Sequence, residues 1–225
     1  MKPPIGERGF TLIELMITVA ITGIVVVAVA GSLSTVFLNS SAAAVRESRS
    51  HDAQNAAAYF AQDVESVGVR NWSSNSRPLV QSIETGASAP YNGGLYPCGT
   101  SSTPNALVRF AWNDFQVSNL ATPDVVVTSY VAEPTGPNGL LQLHRLMCRN
   151  ASLITDRKII HGIAAGATVT CAPSPCSGST PVPSFVSLTV TVHDPQTADP
   201  DLSITLQGHR RQTCAESENA SCSSL

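Results

Sequence analysis

The chain has 225 residues, 43% hydrophobic and only 13% charged, which is enough apolar material to bury a core in one domain that carries an appended segment. Its formal net charge of −3 becomes −4 without residues 1 to 9, because Lys2, Arg8 and Glu7 leave together. That balance gives no overall attraction for a polyanion.

The first predicted element is apolar. From Leu15 to Leu38 no charged residue occurs, a run of 24 residues, or roughly 36 Å as an α-helix. Such a run crosses a hydrocarbon core of about 30 Å. Lys2 and Arg8 precede it, and the next charge after Glu14 is Arg46. The positive-inside bias therefore keeps the N-terminus cytoplasmic and exports the remainder. An alternative is an ordinary secreted protein cleaved near Ala30, since Ala28 and Ala30 form a small-x-small site. Against it, the apolar run exceeds the roughly 7–15 residues of a signal h-region, and a carboxylate, Glu14, just ahead of it is unexpected there.

The stretch GERGFTLIELMITVAITGIVVVAVAG, residues 6 to 31, resembles the N-terminus of type IV prepilins and type II secretion pseudopilins. The resemblance implies that a prepilin peptidase cuts between Gly9 and Phe10 on the cytoplasmic side and that Phe10 is then N-methylated, which makes Glu14 the fifth residue of the mature chain. It further implies other pilin or pseudopilin subunits and an inner-membrane assembly platform as partners. Membrane lipid surrounds the helix before assembly, and a periplasmic or extracellular fibre is the destination. A carboxylate at membrane depth costs about 2.5–3.5 kcal/mol or more unless it is neutralised. By resemblance the neutralising group is the Phe10 amine of a neighbouring subunit, so the cost of Glu14 is relieved only when subunits register.

Beyond the span, Val45, Ala53, Ala56, Ala57, Phe60, Val64 and Val67 recur at spacings of three and four, with Arg46, Glu47, Asp52, Gln62, Asp63 and Glu65 between them. This predicts that the same helix continues in amphipathic form. No proline occurs from residue 5 to residue 77, so one helix from Phe10 to about Val67 is expected, with Gly68 as its C-cap. Gly23 and Gly31 lie within the span, where small residues permit close helix packing. By resemblance a glycine near Gly23 is common in major subunits, whereas the proline they often carry near Gly31 is missing.

Residues 73 to 105 are rich in Ser, Asn, Gly and Pro without periodicity and read as a long connection. Strand-like runs follow at ALVRFAW from Ala106, DVVVTSYVA from Asp124, GLLQLHRLMC from Gly139, SFVSLTVTVHD from Ser184 and LSITLQGHRRQ from Leu202. Turn signals separate them, including EPTGPNG at 133 to 139 and DPQTADPD at 194 to 201. The expected fold class is α+β, a long N-terminal helix packed on an antiparallel β-sheet domain. The expected organisation is a leader at 1–9, a membrane and fibre-core helix at 10–38, its amphipathic half at 39–68 and an exported β domain at 69–225. DAQNAAAYFAQDVES, with SLTVTV and LSITLQGHRRQ much later, is similar to the minor-pilin W and pseudopilin J groups, which implies a minor subunit.

Six cysteines, Cys98, Cys148, Cys171, Cys176, Cys214 and Cys222, fall in the part placed outside the cytoplasm, where oxidation is expected. Fifteen connectivities are open. Only the local pairs, Cys171 with Cys176 and Cys214 with Cys222, are suggested by proximity, and Cys98 with Cys148 would remain. No C-x₂-C occurs and the five histidines are scattered singly, so the spacing offers no metal site. Neither a paired-carboxylate arrangement, a G-x-S-x-G turn nor a phosphate loop is present, so no cofactor is implied and the chain reads as a structural protein. Nucleic acid is the competing partner, as for a DNA-binding pilus subunit in competence. Arg145, Arg149, Arg157 and Lys158 cluster in sequence and Arg210 and Arg211 adjoin, although the ten arginines and one lysine beyond residue 40 face fourteen acids.

Overall fold

The computed structural model describes residues 11–75, 77–116, 119–134, 139–164, 166–177, 182–193 and 201–211. They fall into two units, one up to Ser48 and one from Arg49 onward. Helix α1 (Leu12–Ser66) supplies all the regular structure of the first unit and the opening turns of the second.

In the first unit, Leu12–Phe37 is long and apolar enough to cross a membrane. None of these side chains is covered by the rest of the chain, so the helix has no protein core of its own to bury them in. Neither Gly23 nor Gly31 interrupts the helix, and an added Cβ at either would meet nothing within 4 Å.

In the second unit α1 ends at Ser66, where Gly68 turns the chain with φ +151° and donates its N–H to Ala111 O at 3.0 Å. Two short strands, β1 (Val69–Arg70) and β2 (Leu79–Val80), pair with each other. The main sheet is antiparallel, built from β3 (Ile83–Thr85), β4 (Val108–Gln116), β5 (Asn119–Pro134), β6 (Leu141–Arg149), β7 (Ser152–Ile163), β8 (Thr168–Ala172), β9 (Phe185–Val192) and β10 (Leu202–His209). Its order is β10-β9-β7-β6-β5-β4-β3, with β8 also paired to β9.

The sheet has two covered faces because its strands alternate apolar side chains on both. On one face Ala56, Phe60, Val64 and Val67 of α1 pack with Phe110, Tyr130, Leu143 and Ile160, and equally with Val186, Leu188, Val190 and Leu206. The rings of Phe60, Phe110 and Tyr130 meet edge to face, with centroids 5.2 to 5.9 Å apart. On the other face Ala111, Val127, Val131, Leu146 and Cys148 pack under Val69, Ala89, Cys98 and Ala106.

That second layer is the connection of residues 73 to 105, which is ordered by polar contacts rather than by periodicity. Arg109 is 1% exposed and all five of its N–H donors are engaged: Ser129 Oγ at 3.1 Å, Glu84 Oε2 at 3.1 Å and the carbonyls of Ala89, Pro90 and Gly93 at 3.1, 2.7 and 3.2 Å. Glu84 in turn accepts from the N–H of Leu95 at 2.7 Å. Burial lowers the Arg109 pKa, and the Glu84 charge opposes that shift. A disulfide joins Cys98 to Cys148 of β6, and a second joins Cys171 to Cys176 beside β8; Cys214 and Cys222 lie outside the described residues.

Four features depart from the expectations, the first being strand β8, which none of the expected strand runs covers. Strand β7 was not foreseen, because its centre reads Thr155-Asp156-Arg157-Lys158 and its hairpin turn is Asn150–Ala151. Both turn residues have positive φ, +48° and +66°, the pattern of a two-residue hairpin turn that usually announces itself with glycine. Asp63, expected on the polar face of α1, is 2% exposed. The segment from residue 79 to 85 carries two short strands rather than an irregular connection.

Candidate functional site

Thr11 and Glu14 stand at the start of α1 in the pattern T-x-x-E. The Glu14 carboxylate accepts from the Thr11 N–H and the Thr11 hydroxyl, both at 3.0 Å, while the Glu14 N–H reaches Thr11 Oγ1 at 3.4 Å. This reciprocal capping box satisfies amides that the first helical turn leaves without partners. A carboxylate there also complements the positive end of the helix dipole. Among the described residues Glu14 has no cationic partner, and its side chain is exposed.

Further along the span every described hydroxyl finds a carbonyl one turn back. Thr18 donates to Glu14 O at 2.9 Å, Thr22 to Thr18 O at 2.7 Å, and Ser32, Ser34 and Thr35 to Ala28, Ala30 and Gly31 O at 3.0 to 3.1 Å. An unsatisfied polar group in hydrocarbon costs several kcal/mol, so this back-bonding lets the helix keep hydroxyls and still face lipid. Glu14 is the one charge left without such a solution inside Leu12–Phe37.

Residues 6–30 match the family described as the prokaryotic N-terminal methylation motif. The match supports the type IV pilin and pseudopilin family, and it fits a chain held in the membrane by an apolar N-terminal helix. Such a motif suggests a structural subunit rather than an enzyme, one that is processed by prepilin peptidase and assembles with other pilin subunits. No curated protein and no solved structure matches this chain. Gly9 and Phe10, the expected cleavage and methylation residues, lie outside the described residues.

In the β domain, two of the basic residues that cluster in sequence are paired with carboxylates of the same chain. Arg145 is buried and donates Nε to Asp63 Oδ2 at 2.7 Å and Nη2 to Asp63 Oδ1; the Tyr130 hydroxyl donates to Asp63 Oδ2 at 2.7 Å. Burial alone would lower the Arg145 pKa, and the Asp63 hydrogen bond and charge raise it above the ordinary value. Burial, reinforced by Asp63, pushes the Tyr130 phenol well up. Arg149 bridges Asp124 at 3.0 Å and Asp114 at 2.8 Å, and it is raised chiefly by the Asp124 hydrogen bond. Asp124 is held below the usual carboxylate range by Asn150 and then Arg149. Two of the four clustered cations are thus already neutralised within the chain, which weakens the nucleic-acid reading. Arg157 and Lys158 remain, at the mouth of a cleft between α1 and β7.

The histidines sit in separate pairs, His144 with Asp156 and His161 with Asp52 at 2.7 Å, His193 with Asp201 at 2.6 Å, and His51 with Asn55 at 2.8 Å. Among the described residues no group of three His, Cys, Asp or Glu side chains is placed to hold a metal ion. The residue that sequence reasoning missed at the helix start is Thr11; its signal, T-x-x-E ahead of an apolar run, was legible as a capping box.

Proposed function

We propose that this chain is a minor type IV pilin or pseudopilin, inserted through α1, cut between Gly9 and Phe10, N-methylated on Phe10, and carried by the inner-membrane assembly platform into a pilus or pseudopilus, in its initiating tip complex. The observation that carries the reading is the methylation-motif match of residues 6–30 on a helix whose apolar side chains are exposed and whose one membrane-depth carboxylate, Glu14, has among the described residues only Thr11 as partner. The neighbouring subunit's Phe10 amine is the cation that completes it.

Processing tests the proposal directly. Intact-mass and N-terminal peptide analysis of the membrane-associated chain should find an N-methylated phenylalanine as the first residue. Gly9→Val should leave the leader attached, because a branched side chain replaces the hydrogen beside the scissile bond. A native chain that begins at Gly31 would overturn the proposal and leave an ordinary secreted protein in its place.

A further inference from the structure

Strand β7 has a partner on one side only. It pairs with β6 along nearly its whole length, from Arg149↔Ser152 to Leu141↔Ile163, but with β9 at the single register Ile163↔Val192. The flank of β9 beyond that point is taken by β8, from Thr168↔Thr189 to Ala172↔Phe185. Strand β7 therefore leaves β9 where β8 takes its place, and from Ser152 to His161 the second flank of β7 carries no strand among the described residues. In an antiparallel strand alternate residues aim N–H and C=O outward, so this flank is a ladder of unused donors and acceptors.

The side chains along that flank give it a preference. Leu153 and Ile154 are 38% and 51% exposed at its start. Asp156 is engaged by His144, and Asp52 by His161. Arg157 donates to the Tyr59 hydroxyl at 3.1 Å and lies 5.9 Å from that ring's centroid, but neither it nor Lys158 has a carboxylate partner among the described residues. Beside them opens a cleft of about 340 Å³ that Tyr59 and Ile159 line. Arg157 lies opposite Arg145 and Lys158 opposite His144, the register slips at Ile159, and both cations line the cleft together with Asp52 and Asn55 of α1. A second copy of β7 in the register that sets Arg157 against Lys158 would place cation against cation, which is unfavourable. Their charge leaves the edge open to the opposite sign.

We propose that the open flank of β7 is a docking edge for an extended acidic segment of a partner protein, added as a strand with two carboxylates that meet Arg157 and Lys158 beside the cleft. An apolar residue of the same segment covers Leu153 and Ile154. Backbone pairing supplies the binding and the carboxylates supply the selection, as in other strand-addition complexes. The site lies wholly in the unit from Arg49 onward and needs neither cleavage after Gly9 nor Glu14.

The test uses the full chain in detergent micelles and a fluorescent ten-residue probe of threonine and valine with a central Glu-Glu pair. Saturable, salt-sensitive binding is expected, with slowed hydrogen exchange at alternate amides between Leu153 and His161. Lys158→Glu, at an exposed position, should weaken binding by about tenfold or more with unchanged circular dichroism. A probe N-methylated at alternate backbone amides, and one with a central Lys-Lys pair, should both lose binding. The proposal is overturned by absence of Glu-Glu probe binding, by equal binding of either control probe, or by indifference to Lys158→Glu. It is equally overturned if self-association of the chain, or a single-stranded oligonucleotide that displaces the probe, protects the same amides.

Discussion

Two carboxylates in α1 carry the logic of the molecule at the scale of single residues, and they are satisfied in opposite ways. Asp63 is buried and finds its cation within the chain, in Arg145, together with the Tyr130 hydroxyl. Among the described residues Glu14 finds only Thr11, whose hydroxyl and amide complete a capping box but supply no opposite charge. The first was invisible in the sequence because its partner is 82 residues away, whereas the second stood out as the lone charge at the head of an uncharged run. Asp63→Asn should cost about 3–5 kcal/mol, since it strands the Arg145 guanidinium in a site from which water is excluded; chemical denaturation of the variant measures it. Glu14→Gln keeps an oxygen for the Thr11 amide and removes the charge. Insertion should be unchanged or improved, because the burial cost falls, and cleavage after Gly9 should persist. Incorporation should fail, so the variant accumulates in the membrane, processed but missing from sheared fibres. Wild-type levels in the fibre would refute a docking role for Glu14.

At the scale of elements, what the sequence made legible is what periodicity encodes. The helix was readable from Phe10 to about Val67 because an uncharged apolar run leads, without a proline, into the three- and four-residue spacing that starts at Val45, and β9 and β10 were readable because VSLTVTV and LSITLQG alternate. Strand β7 was hidden by its charges and by an alanine in its hairpin turn. The order of residues 86 to 95 was hidden more deeply, since it resides in the five hydrogen bonds of Arg109, whose partners no local pattern announces. Helix and strand also meet at a point that the sequence marks only as a glycine in a strand. A Cβ on Gly208 of β10 would lie 2.5 Å from Val64 Cβ of α1, an atom that no rotamer change can move away. Gly208→Ala should therefore force α1 and β10 apart and destabilise the β domain by about 1–3 kcal/mol, as overpacking does elsewhere. Thermal unfolding of the chain from Arg49 onward would register it, and an unchanged melting temperature would mean that the strand can yield.

For the molecule as a whole, the division of labour between two solvents determines where covalent staples are worth having. The helix up to Phe37 has lipid to satisfy its apolar surface, and its hydroxyls bond its own carbonyls. The β domain carries two disulfides and a buried layer that is partly irregular. Cys98–Cys148 pins that layer to β6 and closes 50 residues of chain, while Cys171–Cys176 closes only 5. On the loop-closure account the first restricts the unfolded chain by about 4 kcal/mol and the second by roughly 2 kcal/mol. Removing both cysteines of a pair isolates each effect without leaving a reactive thiol. The Cys98→Ala, Cys148→Ala double variant should lose more stability than the Cys171→Ala, Cys176→Ala variant, and it should also expose the segment from Ala89 to Ala106 to protease. Denaturant midpoints of the two variants, compared with the oxidised parent from Arg49 onward, decide the order. If the short loop proves the costlier to open, the entropic account of these bridges fails, and the Cys171–Cys176 link must instead be holding β8 against β9.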